Sequence, residues 1–345
     1  MKTAAVIMLA GVAGFAVTGI LSFAMIPWLK KVNFGQGILD VNPKMHGKHS
    51  VPTMGGIMFI IGTVLAILLS VITDKLLGGN IVASGSMIPE ELYTKLWSGI
   101  LTAAAFSMVG FADDYIKILS RQTLGLTIKQ MSVLEFFVIL AYLTCLYMGM
   151  NGAPHMFIPF IGTVEPGFLF WVIGIILVYA AVNAVNITDG VDGLCGSITF
   201  TAAVFIAAIA AMKGLFGFTM AGVALAGACL GFVLLNKKLV KVFMGKTGSM
   251  FLGGMIVALS YAVGCPMILL LVGIAYFIEF ASDVIQIVYY KKSGGKKLLK
   301  MAPIHRHLEL CGWSKKKITF VFTAVNFAGG VAAVLIMYYG GYIVR

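Results

Sequence analysis

The chain has 345 residues, 60% of them hydrophobic and 11% charged, with a mean hydropathy of +1.00. Soluble domains carry roughly 25% charged residues, so this chain has too few polar side chains to coat two water-facing domains. A soluble enzyme, a disordered tail and a disulfide scaffold are excluded, and the net charge of +12 is tested first as membrane topology rather than as a nucleic-acid footprint.

About 20 mostly apolar residues cross the hydrocarbon core as a helix. Runs of that kind cover 3–29, 53–73, 96–112, 130–150, 167–185, 197–212, 214–235, 249–265, 266–289 and 318–342. They predict an all-α, polytopic membrane protein of about ten transmembrane helices, forming one integral-membrane domain over 1–345. Tight turns at Lys213-Gly214 and Gly264-Cys265-Pro266 separate neighbouring spans. The first run is too long for a signal-peptide core and ends in Pro27-Trp28-Leu29-Lys30 without a cleavage site, so it is read as a retained helix.

The loops 30–52, 113–129, 236–248 and 290–317 hold 20 of the 25 lysines and arginines. By the positive-inside rule these loops are cytoplasmic, and both termini are extracytoplasmic. No nucleic acid is needed to account for the charge. Asp40, Asp113, Asp114, Asp189, Asp192 and Glu309 fall in or beside the predicted cytoplasmic loops. Acids contribute little to topology, so acids and bases on one face read as a reaction surface. The cysteines, Cys145, Cys195, Cys229, Cys265 and Cys311, are odd in number and lack CxxC spacing; they read as packing residues.

Five stretches carry chemistry. In Gly110-Phe111-Ala112-Asp113-Asp114-Tyr115-Ile116-Lys117, adjacent carboxylates repel unless a cation or proton lies between them. Such a pair suits Mg²⁺ bound to a phosphate, with Lys117 one turn on; solvated helix-end charge is the plain alternative. Asn183 to Gly193 contains two Asp-Gly steps that stop a helix and leave amides and carboxylates at the membrane surface.

Phe243-Met244-Gly245-Lys246-Thr247-Gly248-Ser249 is not a P-loop, because Val240 stands where the pattern needs its first glycine and a helix precedes it. Ala302-Pro303-Ile304-His305-Arg306-His307 could hold a diphosphate or nucleotide, or be an amphipathic surface stretch. Lys44 to Lys48 lead into the glycine-rich Pro52-Thr53-Met54-Gly55-Gly56, as topogenic charge or as a headgroup site. Glu279, Asp283 and Gln286 share one face of the ninth helix, and ionisable groups in a span are functional by default. Glu135, near the start of the fourth span, is expected at the surface.

These motifs together resemble the phospho-N-acetylmuramoyl-pentapeptide transferase family, within the polyprenyl-phosphate N-acetylhexosamine-1-phosphate transferases, almost end to end. The resemblance implies a ten-helix fold with its active site on the cytoplasmic face of a bacterial plasma membrane. It implies transfer of phospho-MurNAc-pentapeptide from UDP-MurNAc-pentapeptide to undecaprenyl phosphate, giving lipid I and UMP with Mg²⁺, for peptidoglycan synthesis, cell shape and division. Asp113 and Asp114 would then be catalytic and would ligate the metal. Lys48, Lys117 and Lys129 would meet phosphates or nucleotide. Asn186, Asp189, Asp192, Asn236, Phe243, Gln286, His305 and His307 would line the nucleotide–sugar site. Membrane lipid would surround the chain, nucleic acid would not be a partner, and a homodimer is admitted.

The chain departs from that pattern in three places. Lys246 stands where the family has a metal-ligating aspartate, and an ammonium cannot ligate Mg²⁺. The family's triple histidine is His305-Arg306-His307, and the loop between His46 and Pro52 is one residue short. Three other readings stay open on the sequence: a UDP-GlcNAc-using sister transferase, a non-catalytic binding homologue and an ion-coupled transporter. The last is disfavoured by acids gathered at one interface and by the lack of an inverted repeat.

Overall fold

The computed structural model describes residues 2–31, 35–36, 51–85, 88–120, 125–238 and 242–342. Each of the ten apolar runs contains a helix. In chain order these are α1 (Lys2–Lys31), α2 (Gly56–Leu76), α3 (Pro89–Ser120), α4 (Ile128–Gly149), α5 (Leu169–Thr188), α6 (Leu194–Met212), α7 (Phe216–Lys238) and α8 (Gly245–Ala262). A 3-10 turn (Pro266–Ile268) leads into α9 (Leu269–Val272) and α10 (Ile274–Lys292), followed by α11 (Ile304–Leu310) and α12 (Lys315–Tyr339).

Among the described residues eight helices are long and apolar enough to cross a membrane alone, and nine if the bent pair 266–272 and 274–292 is one span. With the bent pair taken as one span, that measure accounts for nine of the about ten expected. The missing one is α8, whose polar first turn Gly245-Lys246-Thr247-Gly248-Ser249 lowers its hydropathy. It is a central post rather than a lipid-facing span, since every residue from Thr247 to Ala262 is buried.

The helix ends follow local chemistry. Thr127 and Gln130 form a capping box that starts α4. The Asp-Gly turn ends α5 at Thr188, and Gly193 enters α6 at φ +80°, a conformation only glycine adopts freely. Gly214 (φ +72°) and Gly264 (φ +79°) make the two tight turns anticipated from the sequence. Two features lie outside the helical expectation: paired dipeptides β1 (Gly35–Gln36) and β2 (Val51–Pro52), and a hairpin of β3 (Met156–Ile158) and β4 (Gly162–Val164). The hairpin ties onto the turn after α8, where the Phe157 amide donates to the Gly264 carbonyl at 2.7 Å.

Small residues let other helices close on α8. A Cβ on Gly110 of α3 would run into the backbone of Lys246 and Thr247, and one on Gly254 would meet Ala103 at 2.7 Å. Gly56 of α2 lies equally close to Gly248. Within a membrane such backbone proximity is a main source of helix association. Glu135 is a correction to the sequence reading: it is buried, because α4 turns that face toward α5, where the Asn183 amide donates to Glu135 Oε2 at 2.9 Å.

The packing at Gly110 yields a test. Gly110→Val should push α3 away from α8, cost about 1–3 kcal/mol by overpacking and lower the apparent thermal midpoint in detergent. A midpoint within error of wild type would show that this contact is not tight.

Candidate functional site

The acids of α3 and the first turn of α8 meet at one end of the bundle. Asp113, 1% exposed at its side chain, is ion-paired through Oδ2 with Lys117 Nζ at 2.6 Å and Lys246 Nζ at 3.2 Å. Its Oδ1 accepts the Leu126 amide at 2.9 Å. Two ammonium groups this close would repel, and the shared carboxylate holds them together. Asp114, also buried, accepts the Thr247 backbone amide at 3.0 Å and the Thr247 hydroxyl at 2.8 Å on Oδ2. Gly245, at φ +72°, passes so near that a Cβ would meet Asp114 Oδ2 at 2.5 Å and the Thr53 hydroxyl at 2.9 Å. Only glycine satisfies both the conformation and the space.

Around this junction is a cleft of about 290 Å³. Its charged walls are Asp114, Lys117, Asp189, Lys246 and Arg306; Thr53, Asn186, Gly190, Phe243 and Gly245 complete it. Phe243 presents an exposed ring, and Asn186 Oδ1 accepts the Ser249 hydroxyl at 3.0 Å. A larger groove of about 670 Å³ between α3 and α4, lined by Trp97, Tyr93 and Phe137, contains no acid or base and lies away from these groups. Volume alone does not pick out the charged cleft.

The structure thus brings together Asp113, Asp114, Lys117, Asn186, Asp189, Phe243 and Lys246. Other described residues expected from the sequence do not line this cleft. Lys129 is exposed in the first turn of α4. Asp192 lies 3.5 Å from Lys315 Nζ at the surface. Gln286 is occupied by the chain itself, accepting the Leu298 and Leu299 amides at 3.2 and 2.9 Å. His307 Nδ1 accepts the Lys300 amide at 3.1 Å. His305 is buried beneath the Asp189–Gly190 turn. Lys48 lies outside the described residues, as does the side chain of Asn236. Arg306, part of the stretch expected to hold a diphosphate or nucleotide, does line the cleft, and Thr53, assigned no role from the sequence, joins it because of how the start of α2 packs.

Among the described residues, no group of three His, Cys, Asp or Glu side chains converges to hold a metal ion. Three of the four oxygens of the paired aspartates are engaged: both of Asp113 by two ammonium groups and an amide, and Asp114 Oδ2 by Thr247.

Comparison with known proteins places the chain. Glycosyl transferase family 4 matches residues 96–264, which includes both aspartates and the Gly245-Lys246-Thr247 turn. The chain is 37% identical over 333 residues to the phospho-N-acetylmuramoyl-pentapeptide-transferase of Listeria innocua serovar 6a, covering 94% of this chain and 98% of that protein. It is 36% identical over 335 residues to the protein of the same name from Bacillus thuringiensis (strain Al Hakam), covering 96% of each. The chain belongs to the phospho-N-acetylmuramoyl-pentapeptide-transferase family. It is therefore a phospho-sugar transferase by family, and a multi-pass membrane protein by its helices.

Asp189, just past the end of α5, is a sensitive member of this cleft. Burial, reinforced by the carboxylates of Asp114 and Asp192, holds its carboxyl well above the usual carboxylate range. A raised acid keeps its proton in the folded chain at pH values where the unfolded chain has lost it. The folded state is thus favoured below the ordinary value of about 3.9 and loses that advantage as pH rises through the raised value. Asp189→Asn should flatten this fall, measured as apparent thermal midpoint from about pH 4 to pH 8. An unchanged pH slope would remove Asp189 as its source.

Proposed function

We propose that this chain transfers phospho-MurNAc-pentapeptide from UDP-MurNAc-pentapeptide to undecaprenyl phosphate, giving lipid I and UMP. The reaction would take place at the cytoplasmic face of a bacterial plasma membrane, the Lys/Arg-rich end of the bundle, with both termini on the opposite side. The supporting observation is that Lys117, Lys246 and Arg306 converge on the cleft that Asp114, Asn186 and Phe243 also line.

The chemistry needs little proton transfer. An oxygen of the lipid phosphate forms a bond to the sugar-bearing phosphorus, and the bond from that phosphorus to the bridging oxygen breaks, leaving that oxygen on UMP. A phosphate monoester with a second pKa near 6 is largely ionised at neutral pH, so the nucleophile requires no strong base. The main barrier is the approach of two anions, and fixed positive charge lowers it. Lys117 and Lys246 supply that charge, pinned by Asp113, and Arg306 can offer a planar fork to phosphate oxygens. Phe243 offers a face for the uracil ring, and Asn186 is oriented by Ser249.

The resemblance implies Mg²⁺, but the donor set does not fit a resident divalent ion at this pair. Asp113 is already paired with two cations, and Lys246 places an ammonium beside it where a ligand would be needed. We assign Lys246 the task of balancing phosphate charge from within the chain. A binding-only homologue is the second reading, and Lys246 is the feature that favours it.

Reconstituted protein decides between them. Wild type should release UMP from UDP-MurNAc-pentapeptide in the presence of a chelator, and not from UDP-GlcNAc. Lys246→Ala should lose about 10²-fold or more in turnover, the scale for removing one charge-stabilising group. Lys246→Asp should become dependent on added Mg²⁺. Equal, Mg²⁺-dependent turnover by wild type and Lys246→Asp would overturn the role given to Lys246. Tight UDP-sugar binding without UMP release would establish the binding-only reading.

A further inference from the structure

Glu279 is fully buried in α10, inside the arm that bends by 84° from the preceding short helix. A carboxylate inside a membrane span is costly and persists where it has a task. Its Oε2 faces His305: the distance to Nδ1 is 2.9 Å, and the His305 backbone amide donates to the same oxygen at 3.4 Å. Three residues on, the Ser282 hydroxyl donates to the Glu279 carbonyl at 2.6 Å and accepts the Ile304 amide at 2.9 Å. Gln286 then takes the Leu298 and Leu299 amides. One face of α10 therefore holds both ends of the 298–305 segment, and Glu279 on that face grips a ring.

The ring's other edge points at the cleft wall. Nε2 of His305 makes no hydrogen bond to the protein, and a Cβ on Gly190 would collide with both Nε2 and Cε1. The imidazole thus seats directly against the Asp189–Gly190 turn, and both residues of that turn line the cleft. His305's chain neighbour Arg306 lines it too. A carboxylate on Nδ1 makes that nitrogen the N–H donor and leaves Nε2 as an acceptor edge, the same logic by which outer partners fix the rings of ligating histidines. A purely space-filling contact at this place would be served better by an apolar pair, because burying a carboxylate needs compensation.

We propose that Glu279 is a positioning residue: through Oε2 it fixes the orientation and tautomer of His305, which braces the Asp189–Gly190 turn in the geometry that receives the UDP-sugar. The substrate half of this assignment rests on the transfer reading given above; the tautomer half does not.

The test uses full-length protein, with Glu279→Gln keeping an oxygen acceptor for the ring and Glu279→Leu removing it. Glu279→Leu should raise KM for UDP-MurNAc-pentapeptide about tenfold or more, the usual loss for a removed outer partner, with KM for undecaprenyl phosphate unchanged. Glu279→Gln should restore the wild-type value. Gly190→Ala should give the same split, and adding Glu279→Leu to it should cause no further loss, because both act through one ring. Equal damage by Gln and Leu, or a parallel shift of both KM values with a lower thermal midpoint, would reduce Glu279 to a structural part and overturn the proposal.

Histidine-selective ¹⁵N spectra, with His305→Gln to assign the signal, read the tautomer directly. Nδ1–H is expected in wild type and Glu279→Gln, and its loss in Glu279→Leu. An Nε2–H tautomer in wild type would overturn the proposal even if the chain showed no transferase activity. Absence of UMP release with the expected tautomer would instead refute the substrate reading alone.

Discussion

The hydrogen bonds from Thr247 to Asp114 organise the site. They join the end of α3 to the first turn of α8 through a backbone amide and a hydroxyl on one carboxylate oxygen, both buried. The first amides of a helix have no partner within it, so an acid there is favoured by hydrogen bonding and by the helix dipole together. That junction forms only because Gly110 and Gly245 leave room for the chains to touch. From it follow the place of Lys246 beside Asp113, the opening lined by Asn186 and Phe243, and the approach of Arg306 from the far side.

Charge at this end of the bundle is arranged around the cleft. Asp113 is buried and flanked by two ammonium groups, so its carboxylate serves as the counter-ion that lets Lys117 and Lys246 sit together. Asp189 lines the cleft, where burial, reinforced by the neighbouring acids, favours its protonated form. Such a layout suits an anionic ligand: the negative charge of the protein is neutralised from within, and the positive charge faces the cleft. It also separates roles that adjacent acids in a sequence share by default. Asp113 holds cations, and Asp114 holds α8.

Much of the architecture was legible in the residues themselves. The apolar runs located the helices because a span must bury its backbone hydrogen bonds and present apolar side chains to lipid over a fixed thickness. Glycine and Asp-Gly steps located the turns after α5, α6 and α8. The pairing of Asp113 and Asp114 with the Gly-Lys-Thr turn was visible only as two motifs, since nothing local joins residues 113 and 247. Glu135 was placed at the surface because it stands near the start of its span, yet α4 turns it toward Asn183. Gln286 and His307 looked like ligand groups by type and position; the structure engages the Gln286 amide and His307 Nδ1 with the backbone of residues 298–300.

The amino-acid sequence by itself determined the solvent the chain lives in, the number and order of its apolar segments, and the face that collects its charge, because these depend on composition and periodicity along the chain. It also determined that a lysine occupies position 246. Tertiary structure alone decided what that lysine does, placing its ammonium 3.2 Å from Asp113. It decided as well that α8 is a buried post rather than a span against lipid, and that Glu279 reaches His305 across 26 residues of chain. Those outcomes depend on which helix faces approach one another, and that is fixed by small residues at crossings remote in sequence from the groups they bring together.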